Sequence, residues 1–215
     1  MMMDRTANLP PRRLPVGAEI LPQGGVHFRI WAPGRKQVTV WMRDAAGREP
    51  WRLKLAADEN GYFSGHCPRA SAGTRYGFCL DESDRPYPDP ASRFQPEGVH
   101  ELSEVVDPSA YRWSDSDWTG QKLPGQVLYE LHVGTFTQEG TWRAAIDELP
   151  RLAELGVTLV EVMPVAEFAG EFGWGYDGVD LFAPTRLYGT PDDFRRFVDA
   201  AHQARMGVRF TSCNW

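Results

Sequence analysis

Cysteine is scarce in this chain of 215 residues: only Cys67, Cys79 and Cys213. An odd number at such spacings builds neither a complete disulfide framework nor a metal site. A reducing, cytoplasmic setting is therefore expected, with no metal and no cofactor. Positive charge is in the minority, 23 Lys and Arg against 29 Asp and Glu, for a formal net charge of −6. Nucleic-acid binding wants a basic face, so no nucleic-acid partner is expected. No apolar run approaches the roughly 18 residues of a membrane helix. The first fifteen residues carry Arg5, Arg12 and Arg13 but no apolar stretch of the secretory kind. A membrane partner is not expected either. With 21 glycines and 17 prolines the chain stays below the roughly 25–30% that marks low complexity, and no internal repeat is visible.

What the chain does have is aromatic: 8 Trp, 7 Tyr and 11 Phe, or 12% of its residues. Aromatic faces fill cores and also stack on flat apolar partners such as the C–H faces of sugar rings. The chain changes rhythm near residues 107–125. Before that point the apolar period is two. Val26, Phe28 and Ile30 alternate with His27, Arg29 and Trp31; Val38, Val40 and Met42 alternate with Thr39 and Trp41; Tyr76, Phe78 and Leu80 alternate with Arg75, Gly77 and Cys79. Ala32-Pro33-Gly34, Ala46-Gly47-Arg48, Asn60-Gly61 and Ala72-Gly73 punctuate these runs as turns. Short alternating strands with frequent turns predict an antiparallel, immunoglobulin-like β-sandwich over residues 16–106. The Pro-rich, polar stretch from residue 83 reads as extended, and residues 107–125 as a connector.

From residue 126 the pattern becomes α/β. Val127–Leu131 reads as a short strand. Trp142, Ala145, Ile146, Leu149, Leu152 and Leu155 follow helical spacing, with Pro150 expected to kink the helix and Gly156 to stop it. Val157–Met163 reads as a strand buried on both faces. A long loop runs from Pro164 to Gly189. Thr190-Pro191-Asp192-Asp193 opens a second helix with a cap, a proline at N1 and acidic residues in the first turn. Phe194, Phe197, Val198 and Ala201 form its buried stripe, and Gly207 is expected to end it before a third strand, Val208–Cys213. The order β-α-β-α-β is the signature of a parallel sheet.

Several stretches resemble one family. Asp89-Pro90-Ala91-Ser92-Arg93-Phe94-Gln95-Pro96-Glu97-Gly98-Val99-His100 is similar to the segment joining the N-terminal domain to the barrel in maltooligosyltrehalose trehalohydrolases of the α-amylase superfamily. Tyr129–Phe136 resembles their first barrel strand, Val162-Met163-Pro164-Val165 the end of their second, and Trp174–Pro184 the loop that follows. Branching enzymes usually carry Gln where Asp177 stands. The resemblance implies a β-sandwich followed by a (β/α)₈ TIM barrel, of which residues 126–215 would supply an incomplete part, β1-α1-β2-α2-β3. It implies release of trehalose from maltooligosyl trehalose by a retaining glycoside hydrolase, whose two carboxyl groups stand roughly 5–5.5 Å apart. The implied substrate-binding residues are Tyr176, stacked on the sugar ring at the cleavage site, with Asp177 and Trp174 beside it. The alternative for Asp177 is to fix the loop. For Tyr176 and Trp174 it is to fill the loop's own small core.

The family's third strand ends in an Asp-x-x-x-Asn-His pattern. Here Thr211 stands at the Asp position and no His follows. The family's nucleophile and acid lie on later strands, so no catalytic residue is carried over. The chain is expected to be a broken or shortened copy, inactive as it stands. Glu167, Glu171, Asp177 and Asp180 share one loop and are not expected to form a catalytic pair. His132 could face the pocket or be structural. Glu130 is expected in a polar barrel interior or a buried hydrogen-bonded pair. Trp31, Trp41 and Trp51 are candidates for a glycan platform. The rival readings are a branching or debranching relative, and a non-catalytic α-glucan-binding module.

Overall fold

The computed structural model describes residues 12–47 and 49–211. The expected turn residue Arg48 and the tail from residue 212, with Cys213, lie outside them. The chain divides at Asp107/Pro108 into two compact units.

The first unit is built of two four-stranded antiparallel sheets. One holds β1 (Gly17–Ile20), β2 (Val26–Trp31), β5 (Ala56–Ala57) and β6 (Tyr62–Cys67) in the order β1-β2-β6-β5. The other holds β3 (Val38–Arg43), β4 (Trp51–Lys54), β7 (Arg75–Leu80) and β8 (Ser103–Glu104) in the order β4-β3-β7-β8. The expected alternation is what closes the core: Val26, Phe28 and Ile30 of β2 share one buried cluster with Val38, Val40 and Met42 of β3. Truncating a residue such as Phe28 to Ala would cost about 3–5 kcal/mol. The expected turns at Asn60-Gly61, Gly34 and Gly73 all adopt positive φ.

Two features depart from the alternation. β1, β4, β5 and β6 carried too few consecutive apolar residues to be read as strands. β7 is buried on both faces rather than one, because the Pro-rich segment after residue 83 folds back over it. A Cβ at Gly77 would sit 2.8 Å from the Tyr87 carbonyl and 3.1 Å from Leu102, so only glycine lets that segment approach. Asp89 is the hub of this closure. Its carboxylate accepts from the Tyr76 hydroxyl at 2.7 Å and from the Ala91 amide at 2.8 Å, and its own amide donates to Ser103 Oγ at 2.9 Å. Burial pushes the Asp89 carboxyl up, and Tyr76 well above its ordinary value.

The second unit contains a parallel three-stranded sheet, ordered β13 (Gly207–Phe210), β10 (Leu159–Val162), β9 (Leu128–Leu131). Its main helices are α2 (Trp142–Glu154) and α3 (Pro191–Gln203), and a four-residue turn of helix, α1 (Val133–Phe136), follows β9. The β-α-β-α-β order is as read. The core gathers Trp142, Leu149, Val160, Val162, Phe197, Ala201 and Met206. α2 runs through Pro150 as a single helix, and Gly156 follows it at φ +94°. β10 buries Val160 and Val162, but its other face, Leu159 and Glu161, is only half-buried, so the expected two-sided burial is not met. α3 ends at Gln203, and Arg205 just beyond it takes the left-handed region (φ +61°), so Gly207 is not the stop. Gly207 opens β13 instead, where a Cβ would meet Leu159 at 2.8 Å.

The start of α3 is a capping box. Thr190 Oγ1 accepts from the Asp193 amide at 3.2 Å and the Asp193 carboxylate accepts from the Thr190 amide at 3.0 Å. Burial opposes ionisation of Asp193, but hydrogen bonds from Arg143 and Thr190 outweigh it and hold the carboxyl down at about 2. Residues 111–121 bind the same helix. Tyr111 Oη and Ser114 Oγ donate to Asp199 at 3.1 and 2.9 Å, His202 Nδ1 lies 2.7 Å from Asp115, and Trp118 stacks on the His202 ring at 4.5 Å. Among the described residues no helix is long and apolar enough to cross a membrane.

His27 gives the first unit a defined acid response. Burial, and then the charge of Arg12, push its pKa from 6.5 to about 4, and Arg12 Nη1 donates to its Nδ1 at 2.8 Å. The folded state thus binds this proton more weakly than the unfolded chain does. The stability it supports is full above pH 6.5 and falls as pH drops towards 4. Thermal unfolding across that window should lose on the order of 1–2 kcal/mol through this group. His27→Gln should flatten that part of the profile, and an unchanged profile in the variant would contradict the assignment.

Candidate functional site

The stretch between β10 and α3, expected as a plain loop, is a closed structure. β11 (Ala166–Glu167) pairs antiparallel with β12 (Asp180–Pro184), and a single 3₁₀ turn, Arg186–Tyr188, leads to α3. Periodicity missed these strands because one is two residues long and the other exposes two consecutive apolar residues, Leu181 and Phe182.

Glu167 has no solvent exposure. Its carboxylate accepts from the Arg186 amide at 2.7 Å and pairs with the Arg186 guanidinium. Burial pushes the Glu167 pKa up, with Arg186 and Thr185 opposing the shift. The Glu167 carbonyl accepts from the Val179 amide at 2.8 Å. This pair fixes both ends of the hairpin.

The connection between β11 and β12 is held by His132, the N-cap residue of α1. His132 Nε2 lies 2.9 Å from the Gly173 carbonyl, and Nδ1 lies 3.2 Å from Thr135 Oγ1. A carbonyl only accepts, so Nε2 carries the proton, and in the neutral ring Nδ1 accepts from the threonine hydroxyl. Tyr188 Oη lies 3.1 Å from the same Nε2, and burial pushes the Tyr188 hydroxyl pKa up. His132 is thus a structural anchor at the rim of the candidate site. Its position near the C-terminal end of β9 was the signal. Tyr188, Phe168 and Arg186 gave no such signal.

The three expected substrate-binding residues follow within four positions. Trp174 is 68% exposed and Tyr176 51%, and Asp177 is exposed beside them. The Trp174 ring centroid lies 5.9 Å from that of His132. Neither aromatic fills the loop's own core. That place is taken by Phe168, against whose ring a Cβ at Gly173 would press at 2.9 Å. Gly175 has φ +88°, and a Cβ there would stand 1.9 Å from the Pro164 carbonyl. The backbone therefore hugs Pro164 at Gly175, which turns Trp174 and Tyr176 outwards. Phe172, Val179, Leu181 and Phe182 are also exposed on this hairpin.

Of the four loop carboxylates, Glu167 and Asp180 are buried at paired positions of β11 and β12, and Glu171 and Asp177 are exposed. Glu130 is exposed and is not buried in a pair. Thr211 Oγ1 donates to Glu161 at 3.0 Å, and Arg209 pairs with the same carboxylate at 3.3 Å. An open cleft of about 570 Å³ lies beside the start of α2, lined among others by Gln138, Glu139, Arg143 and Asp147, and none of the expected site residues lines it.

In the first unit the three tryptophans do not form one platform. Trp31 points outwards from one sheet, Trp41 outwards from the other, and Trp51 packs inwards under the Arg69 guanidinium at 4.2 Å. Pairing partners decide this: Trp31 and Trp41 lie on strands of different sheets.

Known proteins match both units. Residues 15–110 match the family model "Carbohydrate-binding module 48 (Isoamylase N-terminal domain)". The sequence is 48% identical over 189 residues to the malto-oligosyltrehalose trehalohydrolase of Rhizobium sp. (strain M-11), covering 86% of this chain and 31% of that protein. It is 47% identical over 197 residues to the enzyme of that name from Deinococcus radiodurans, covering 91% of this chain and 31% of that protein. A crystal structure of a Salmonella typhimurium protein assigned to the alpha amylases superposes with TM-score 0.83 at 47% identity, covering 91% of this chain and 32% of that one. The resemblance carried by the motifs therefore holds. The chain is similar to these trehalohydrolases and spans about 31% of the length of the curated relatives it matches.

Gly175→Ala tests the geometry of the hairpin. The added Cβ has no room and the backbone is in the left-handed region, so a local cost of about 2 kcal/mol or more is expected. Trp174 emission should shift and amide exchange over residues 164–188 should rise, with far-ultraviolet circular dichroism unchanged. Unchanged exchange would show that the close approach to Pro164 does not hold the loop.

Proposed function

We propose that this chain is the glucan-contacting N-terminal part of a trehalohydrolase-type glycoside hydrolase. In this reading Leu128–Phe210 supplies the first three strands and two helices of a (β/α)₈ barrel, and residues 16–106 form its N-terminal β-sandwich module, with residues 107–125 as connector. The setting is cytoplasmic and the ligand a maltooligosaccharide or its trehalose-ended form. The observation that carries the proposal is the exposed Trp174-Gly175-Tyr176-Asp177 turn, held at the C-terminal ends of β9 and β10 by His132 and the Glu167–Arg186 pair. Sites of parallel α/β folds are built at that end of the strands.

Tyr176 and Trp174 offer faces to the apolar side of a glucosyl ring, and Asp177 accepts from its hydroxyls. The residues bind and orient a sugar. Hydrolysis with retention needs two carboxyl groups about 5–5.5 Å apart, one to attack the anomeric carbon and one to protonate the leaving oxygen. Glu167 is spent on Arg186 and Asp180 is buried, so this loop supplies neither. The chain by itself therefore binds without cleaving.

A non-catalytic α-glucan-binding role is the second reading, favoured by the match of residues 15–110 to a carbohydrate-binding module. A branching-type function is disfavoured by Asp177, although a branching enzyme of Xanthomonas euvesicatoria is 32% identical over 198 residues.

Titration with maltoheptaose should quench Trp emission. Tyr176→Ala should weaken that binding by about tenfold, the equivalent of about 1.4 kcal/mol. Incubation with maltooligosyl trehalose should release no trehalose. Trehalose release by the 215-residue chain, or full binding by Tyr176→Ala, would contradict the proposal.

A further inference from the structure

We propose that the cleft beside the start of α2 is an outer glucosyl subsite, continuous with the Trp174–Asp177 turn, and that it gives the chain a preference for longer glucans. The inference rests on the reading that the turn contacts an α-glucan. At about 570 Å³ the cleft falls within the size range of small-ligand sites, roughly 300–1,000 Å³. Its walls are the segment that follows β9 and α1, and the first turns of α2. It therefore lies at the same end of the parallel sheet as the hairpin.

A run of close contacts joins the two places. The Trp174 ring lies 5.9 Å from the His132 ring. Beside His132 stands Gly134, where a Cβ would sit 3.0 Å from His132 Cε1 and 2.9 Å from Tyr188 Cε1. Against Gly134 rests Gly140, at φ +62°, where a Cβ would sit 2.8 Å from the Gly134 carbonyl oxygen. The Gly140 amide donates to Thr137 Oγ1 at 3.1 Å and closes the turn that walls the cleft. The groups that hold Gly173 and Trp174 thus also seat this turn. The wall is set before a ligand arrives, which lowers the entropy lost on binding.

The lining selects the ligand. It holds three carboxylates, Glu139, Asp147 and Glu148, and its one guanidinium, Arg143, is paired with Asp193 at 2.8 Å. That charge disfavours a phosphate or any other anion. Among the described residues no three His, Cys, Asp or Glu side chains are grouped to hold a metal ion. The same groups suit hydroxyls. Glu139 and Asp147 have no hydrogen-bond or ion-pair partner among the described residues, and a carboxylate accepts from neighbouring hydroxyls. Gln138 both donates and accepts, and Arg143 keeps further N–H groups for a ring oxygen. Phe136, half-buried with its ring 6.1 Å from that of Tyr129, supplies an apolar surface for a sugar C–H face.

Calorimetric titration of the full chain with maltotriose and with maltoheptaose separates the subsite from the turn. Gln138→Ala/Asp147→Ala removes two exposed side chains, with far-ultraviolet circular dichroism as the check on folding. It should weaken maltoheptaose binding at least about fivefold and change maltotriose binding less than about twofold. Tyr176→Ala should weaken both sugars. In heteronuclear NMR of the native chain the Gln138 and Glu139 amide signals should move with maltoheptaose and saturate. Fixed Gln138 and Glu139 signals, or a double variant that binds maltoheptaose as the native chain does or loses both sugars equally, would overturn the subsite. The proposed function would still stand if Tyr176→Ala weakened binding. If neither variant changed either affinity, both would fall.

Discussion

A carboxylate with no access to water shapes the candidate site. Glu167 would be costly to bury unpaired, and the chain meets that cost with one residue nineteen positions later, Arg186, which supplies both its amide and its guanidinium. Such a pair adds little net stability over an apolar one, but removing one partner is strongly destabilising. Its effect is one of specificity. Only one closure of residues 167–186 satisfies the carboxylate, and that closure sets β11 on β12 and leaves Trp174 and Tyr176 outside. Phe168 fills the space beneath, and Gly173, Gly175 and Gly178 are the points where the Phe168 ring, the Pro164 backbone and the Ala166 methyl approach too closely for a side chain.

The first unit uses the same device with a different group. Asp89 is buried at the foot of the segment that covers β7, and Tyr76, Ala91 and Ser103 satisfy it. A Pro-rich stretch that looks like a linker is thereby built into the sandwich. In both units a buried acid, rather than a long apolar run, decides where an irregular segment lies. Burial raises the pKa of both acids, in keeping with that role.

These two acids also explain how far the fold could be read in advance. β2, β3, β9, β10 and α3 were legible because their apolar period or cap chemistry is local. The cap at Thr190, the proline at N1 and the acidic first turn were visible from four consecutive residues. β1, β4, β5, β6, β11 and β12 were not, because they are short or weakly apolar and owe their place to partners far along the chain. The end of α3 at Gln203 was missed because a non-glycine residue, Arg205, took the left-handed position beyond it. Trp174, Tyr176 and Asp177 were found by motif resemblance and not by periodicity. Their outward direction depends on Gly175 meeting Pro164, a contact that no local pattern reveals. His132 could be noticed but not assigned, since its role depends on the Gly173 carbonyl, forty-one residues away.

The Glu167–Arg186 pair holds the Trp174–Asp177 turn in place. Amide hydrogen exchange in Arg186→Met measures it most directly, with Val179 and Thr185 as reporters, because their amides bond to the Glu167 and Val165 carbonyls. Both amides should be protected in the native chain. In the variant they should lose protection by at least about a hundredfold, since stranding a buried charge costs roughly 3–5 kcal/mol, while β2 and β3 stay protected. Fast exchange at Val179 and Thr185 in the native chain, or protection unchanged by the substitution, would contradict the account.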